Sequence, residues 1–310
     1  MDKNSVARNH TILPAMRIIV QVCDWSTIAP MSKQTILAVL AHPDDESFGM
    51  GGTLALYASR GVDVHLVCAT RGEVGEVAPE LLKDFQSIAD LRESELRCAA
   101  GILGLKGVHF LDYRDSGMPG NPDNHHPQAL AAQPLDDVAA NVVCYIRELK
   151  PQVVLTFDPI GGYRHPDHIA IQRATVRAFE QAANPAFAPN SLPMHTPDRL
   201  YFHIFPKGFL KFGVKILPLL GRDPHKFGTN GDIDMAAIAE VEFPTHARID
   251  VRSVLGKKEA AGACHASQGG GRMGGSLVSF IMRMFNATET FMRAWPPVEP
   301  GAKVTKDLFA

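Results

Sequence analysis

His42, Asp44, Asp45 and Glu46 crowd one short stretch of the chain, and His165, Asp167 and His168 crowd another far downstream. Carboxylates gathered this closely repel one another unless a cation compensates them. Histidine mixed with carboxylate is the ligand chemistry of zinc and its divalent neighbours. A catalytic zinc takes three such ligands and keeps a position open. His42 and Asp45, three apart, together with His168 make that set. Asp44 is then left over beside the metal, where a carboxylate can take a proton from water. Either cluster alone also fits a helix cap or a turn, since Asp after Pro is a common cap. Two His-Pro-Asp clusters, each close behind an apolar run, argue for the metal.

The elements around the clusters explain how they would meet. Ile36 to Ala41 is apolar without alternation, the pattern of a strand covered on both faces of a parallel sheet. Pro43 lacks an amide hydrogen and biases His42 away from helix, so the strand stops there. A helix follows over Gly49 to Ser59, then a strand over Val62 to Cys68. A helix from Ser87 to Leu103 closes at Gly104 and leads into a short strand, Val108 to Leu111. Residues 118–133 read as irregular. A helix over Leu135 to Leu149 and a buried strand over Val153 to Phe157 lead to the second cluster, and another helix runs to about Ala183. Strand–helix alternation of this kind predicts an α/β fold with a parallel sheet and helices on both faces. Both clusters then lie at the carboxyl edge of the sheet, where ligands bind. Beyond residue 184 the pattern loosens. Arg199 to Phe205 and Val241 to Phe243 read as strands, and Val254 to His265 and Leu277 to Arg293 as helices.

A formal net charge of -2 gives no support for nucleic-acid binding or for attraction to an anionic membrane. The apolar stretch Leu13 to Cys23 is interrupted by Arg17 and Gln21 and is too short to span a bilayer. Residues 1–30 read as an N-terminal extension outside the core, with Met31 just ahead of the first strand. The five cysteines are scattered, without a CxxC pair, and read as reduced core thiols in a cytoplasmic protein.

Ala41-His42-Pro43-Asp44-Asp45-Glu46 and His165-Pro166-Asp167-His168 resemble the paired motifs of the PIG-L/LmbE-like zinc deacetylases. The resemblance runs from about Thr35 to Ala182, with a weaker echo in Lys258 to Gln268. It implies a Rossmann-like three-layer fold with a mainly parallel sheet. Residues 31–183 would be the catalytic core, and residues 184–310 a smaller portion packing on it and shaping the substrate site. It implies hydrolysis of an N-acetyl group on a glucosamine-type sugar conjugate, with zinc on His42, Asp45 and His168 and Asp44 as base. It further implies that His165, in cationic form, steadies the oxyanion or protonates the leaving amine. Asp167 would orient that ring, and Tyr163 would assist at the same oxyanion. Arg92 and Asp115 resemble sugar-contacting positions. Glu73, at the end of the second strand, reads on its own as a sugar-hydroxyl ligand.

Two other readings compete. Gly49-Met50-Gly51-Gly52 opens a helix after the first strand, as in a dinucleotide-dependent oxidoreductase, but three acids stand where a pyrophosphate needs amides. A catalytically silent sugar-binding module would have no use for Asp44 beside a metal. Two His and one Asp also accept Fe2+ and other divalent ions. The identity of the conjugate, the oligomeric state, and the roles of His265 and the Gly269 to Gly275 run stay open at this level. His125 and His126, in a Pro- and Asn-rich loop, read as exposed.

Overall fold

The covering of one strand from both sides organises the molecule. In the computed structural model, which describes residues 33–188, 192–205, 207–226, 234–270 and 287–310, β1 (Thr35–Leu40) is buried at every position. The extension over residues 1–30 lies outside the described residues, as does most of the glycine run after Gly270. Six further strands complete one sheet: β2 (Asp63–Cys68), β3 (Gly107–Phe110), β4 (Val153–Phe157), β5 (Arg199–Ile204), β6 (Ala247–Asp250) and β7 (Thr288–Trp295). Their order is β3-β2-β1-β4-β5-β7-β6. The first five in that order pair in parallel, and β7 lies antiparallel to both β5 and β6. Residues Lys33–Ala310 form one compact unit. Residues 184–310 therefore extend the same sheet by three strands.

The helices in chain order are α1 (Asp45–Phe48), α2 (Gly51–Ser59), α3 (Ile88–Leu103), α4 (Leu135–Leu149), α5 (Gly161–Arg164), α6 (Pro166–Gln181), α7 (Lys207–Ile216), α8 (Met235–Glu240) and α9 (Leu255–Cys264). α4 packs on α6, while α2, α3 and α9 pack on one another. Local chemistry sets their ends. The Ser87 hydroxyl accepts the Asp90 amide at the start of α3, and Gly104 ends that helix at φ 80, a left-handed angle that glycine adopts without strain. α6 opens on Pro166, with the His165 ring as its cap.

Three expectations are corrected. Thr288–Trp295, which overlaps the end of the segment read as a helix over Leu277 to Arg293, is a strand. Its helix-favouring Met292, Arg293 and Ala294 yield to pairing on both edges with β5 and β6; residues 271–286 lie outside the described residues. Val241 to Phe243 is irregular, and the strand forms at Ala247–Asp250 instead. Cys98 and Cys264, read as thiols, form a disulfide. Packing of α3 on α9 brings their Cα atoms to 6.0 Å, within bridging reach. The bridge removes the cysteine argument for a reducing compartment.

Candidate metal centre and active site

β1 and β4 are neighbours, so the two clusters that follow them share one edge of the sheet. His42 Nδ1 lies 3.2 Å from His168 Nε2, His168 Nε2 lies 3.2 Å from one Asp45 oxygen, and the other Asp45 oxygen lies 3.6 Å from His42 Nδ1. Ligand atoms about 2.0–2.1 Å from a tetrahedral zinc stand about 3.4 Å from one another, and the two imidazole nitrogens and the two Asp45 oxygens approach one another at that spacing. The surroundings fit as well. The His42 amide donates to Asp45 Oδ2 at 2.7 Å, which fixes that carboxylate. His42 Nε2, the nitrogen facing away from the triangle, lies 3.1 Å from Asp167 Oδ2, the outer carboxylate that metal-bound imidazoles commonly have. The ring of His168 stacks on Phe157 at 3.9 Å.

Asp44 stands apart from this triangle. Its carboxylate receives Arg92 Nη2 at 3.1 Å and lines a cavity of about 1080 Å³ together with His42, Arg92, Asp115, Tyr163 and His165. It does not cap α1. Burial pushes its pKa up to about 6, against the pull of the Arg92 guanidinium. Asp45 goes the other way: burial is outweighed by His168 and His42, and its carboxyl is held well below the usual carboxylate range. Neighbouring aspartates thus have opposite electrostatics, the environment-driven division expected of a base beside a ligand.

Arg92 is not a solvated helix charge. At 4% exposure, its guanidinium reaches the Pro43 and Gly72 carbonyls at 2.7 and 3.0 Å as well as Asp44. Gly72, at φ +69, is required here, because a Cβ on it would stand 1.9 Å from Arg92 Nη1. Asp115 is buried, accepts the Gly117 amide at 2.8 Å and approaches His42 Nε2 at 3.5 Å. Glu73 braces the same loop by accepting the Asp115 amide at 3.1 Å, and it is absent from the cavity wall.

His165 and Asp167 meet differently from the expectation. The Asp167 carboxylate accepts the Ser116 amide and hydroxyl, at 2.8 and 2.5 Å, and faces His42; only its backbone amide reaches His165, at Nδ1. Nδ1 is therefore an acceptor, which leaves the proton on Nε2. Burial and the adjacent His42 and His168 rings push the His165 pKa well below its ordinary value, which favours the neutral ring. Tyr163 lies 5.9 Å from His165, ring to ring. Burial with Asp45 and Asp44 nearby keeps its hydroxyl protonated.

Several participants escaped sequence reasoning. Ser116 fixes Asp167, and its one local signal was the turn-forming Ser116-Gly117 pair. Glu289 accepts the Gly52 and Thr53 amides at 3.0 and 2.7 Å, and its other contact is Lys258 Nζ at 2.6 Å. Those amides are what a dinucleotide pyrophosphate would need. With Glu289 on them, the oxidoreductase reading loses its phosphate cradle.

The family described as GlcNAc-PI de-N-acetylase, PIG-L, matches residues 37–179. A relative named 1D-myo-inositol 2-acetamido-2-deoxy-alpha-D-glucopyranoside deacetylase, from Geodermatophilus obscurus, is 38% identical over 75% of this chain and 82% of its own length. One of the same name numbered 1, from Catenulispora acidiphila, is 40% identical over 70% of this chain and 68% of its own. Among solved structures, 4-carboxy-2-hydroxymuconate hydratase from Pseudomonas putida superposes with a TM-score of 0.57 at 21% identity, covering 87% of this chain and 100% of the other. A conserved protein from Thermus thermophilus gives 0.55 at 23% identity, covering 86% and 98%. At such identities the two structures show the shared fold alone. No helix among the described residues is long and apolar enough to cross a membrane.

Proposed function

The chain belongs to the PIG-L family, and we propose that it is a zinc-dependent N-deacetylase acting on a glucosamine-type conjugate, with Asp44 as the base. The observation that carries this reading is the division of labour at the cavity. Two imidazoles and the Asp45 carboxylate converge on one point, while the adjacent Asp44 turns its carboxylate into the cavity. His42, Asp45 and His168 would hold the ion. When bound, zinc supplies Lewis acidity toward a carbonyl oxygen and lowers the pKa of water to about 7.

The remaining steps belong to side chains. Asp44 is ionised at neutral pH yet more basic than a free carboxylate, which suits it to take a proton from the attacking water. A neutral His165 is a poor acid, so Asp44 also returns that proton to the leaving nitrogen. His165 Nε2–H and the Tyr163 hydroxyl instead donate hydrogen bonds to the oxygen on which charge develops. Arg92 holds the Asp44 carboxylate in place, and Asp167 holds His42. The cavity suits a two-ring conjugate better than a lone sugar ring. Together with the relatives' names, this points to N-acetylglucosamine joined to inositol as the first substrate to try.

Acetate release from a panel of N-acetylglucosamine conjugates, the inositol conjugate included, tests the reading. Asp44→Asn should retain metal and lose about 10²–10⁴-fold in kcat. No acetate from any conjugate at full zinc loading, or an Asp44→Asn variant that turns over normally, overturns it.

A further inference from the structure

His265, whose part in the chemistry the motif alone left open, lies outside the cavity and is wholly buried. Its Nε2 meets Glu46 Oε1 at 2.7 Å, and Glu46 is equally buried. The same carboxylate accepts the Ser47 hydroxyl on Oε1 at 2.5 Å and the Asp44 backbone amide on Oε2 at 3.0 Å. That amide belongs to a strained residue: Asp44 stands at φ 121, ψ -29, a conformation L-residues rarely adopt. Such backbone persists only where its surroundings over-determine it. The Asp44 carbonyl accepts the Ser47 and Phe48 amides, both at 3.0 Å, and Glu46 takes the amide on its other side.

We propose that Glu46 and His265 are positioning residues that hold the Asp44 backbone in its strained turn and so aim the base into the cavity. Glu46 fixes the amide, and His265 fixes Glu46. His265 is in turn anchored from α3, through the Cys98–Cys264 bridge beside it and through Glu95, which accepts the Ser267 amide and hydroxyl at 2.8 and 2.6 Å. α3 also carries Arg92, so one helix governs the Asp44 carboxylate directly and its backbone by way of the C-terminal end of α9. This inference rests on the reading of Asp44 as the base.

The two nitrogens of His265 provide the test. Nε2 is bonded to Glu46, whereas Nδ1 has no hydrogen-bond partner among the described residues. Glutamine places its amide nitrogen where Nε2 stood, and asparagine reaches only to the position of Nδ1. His265→Gln should keep kcat within about threefold of wild type, while His265→Asn should lose about 10²-fold, the penalty of roughly 1 Å of misplacement. KM and bound zinc should be unchanged in both, since neither residue touches the cavity or the ligand triangle. Glu46→Asp, which cannot reach both Asp44 and His265, should repeat the His265→Asn loss with zinc retained. Equal kcat in the Gln and Asn variants, loss of zinc along with kcat, or wild-type turnover in Glu46→Asp overturns the proposal. Asp44→Asn belongs in the same series. Should it turn over normally, the assignment of the base is wrong. Should it be inactive while the two His265 variants are alike, only the positioning role is wrong.

Discussion

Acidification should destabilise this protein through His203, by an amount its surroundings set. The ring lies on β5 at 8% exposure, against Phe205 at 5.3 Å and Phe291 at 5.6 Å. Burial pushes its pKa down to about 4, with Glu289 pulling it up and Lys258 adding to the fall. In the unfolded chain the value is about 6.5. Between those two values the unfolded chain binds a proton that the folded chain refuses, so stability falls as pH falls through the window. The loss begins near pH 6.5 and is complete below about pH 4. Working the linkage from those two pKa values gives a deficit of about 2 kcal/mol at about pH 5 and about 3 kcal/mol at about pH 4. Other groups titrate over the same range, so the comparison is with His203→Asn, which has no proton to gain. Urea unfolding of both proteins at about pH 7.5 and about pH 5 should show the wild type losing about 2 kcal/mol more than the variant. That is a midpoint difference of about 0.7 M at an m-value near 3 kcal/mol/M. Parallel losses in the two proteins would refute the reasoning, as would a wild type that gains on acidification.

Further outcomes follow from the metal triangle and its neighbours. His168→Ala should bring bound zinc well below one per chain by elemental analysis, and prolonged chelation of the wild type should abolish acetate release until zinc is restored; full occupancy in the variant removes His168 from the ligand set. Arg92→Met takes away the cation 3.1 Å from Asp44, so the acid limb of kcat/KM should move up by about 1–3 pH units, with activity recovering at high pH; an unmoved limb contradicts the electrostatic role. A chain starting at Met31 should be soluble, bind zinc and keep its deacetylation rate; aggregation or loss of metal would make the first thirty residues part of the fold.

The site was legible where its chemistry is local. His42 to Glu46 and His165 to His168 each follow a buried strand, so a parallel sheet puts both at one edge, while the pairing of β1 with β4 that makes them neighbours comes from this strand order. The Cys98–Cys264 bridge spans 166 residues and leaves no mark in spacing. The partner of Asp167 was misjudged for a similar reason. Sequence adjacency suggested His165, but α6 turns the carboxylate toward Ser116 and His42, two loops away in the chain. Thr288–Trp295 mixes helix-favouring Met292, Arg293 and Ala294 with strand-favouring Thr288, Thr290, Phe291 and Trp295, and pairing with β5 and β6 decides for the strand. Glu289 in that strand would be an unreasonable core residue without Lys258 and the α2 amides, none of which is near it in sequence.

The insertion of β7 between β5 and β6 has a consequence for biosynthesis. A nascent chain emerges at about 5–20 residues per second, and β7 leaves the ribosome later than the six strands before it. Until it arrives, β5 has an open edge and β6 has no strand to pair with, a state that invites pairing with other chains. Helix α2 is also incomplete in that interval. Its leading amides, Gly52 and Thr53, await Glu289, and Lys258 stays without its buried counter-charge. Ribosome stalling or truncation ahead of Thr288 would therefore leave a chain that contains all the proposed metal ligands and Asp44, yet lacks the strand that locks the sheet and the carboxylate that closes α2.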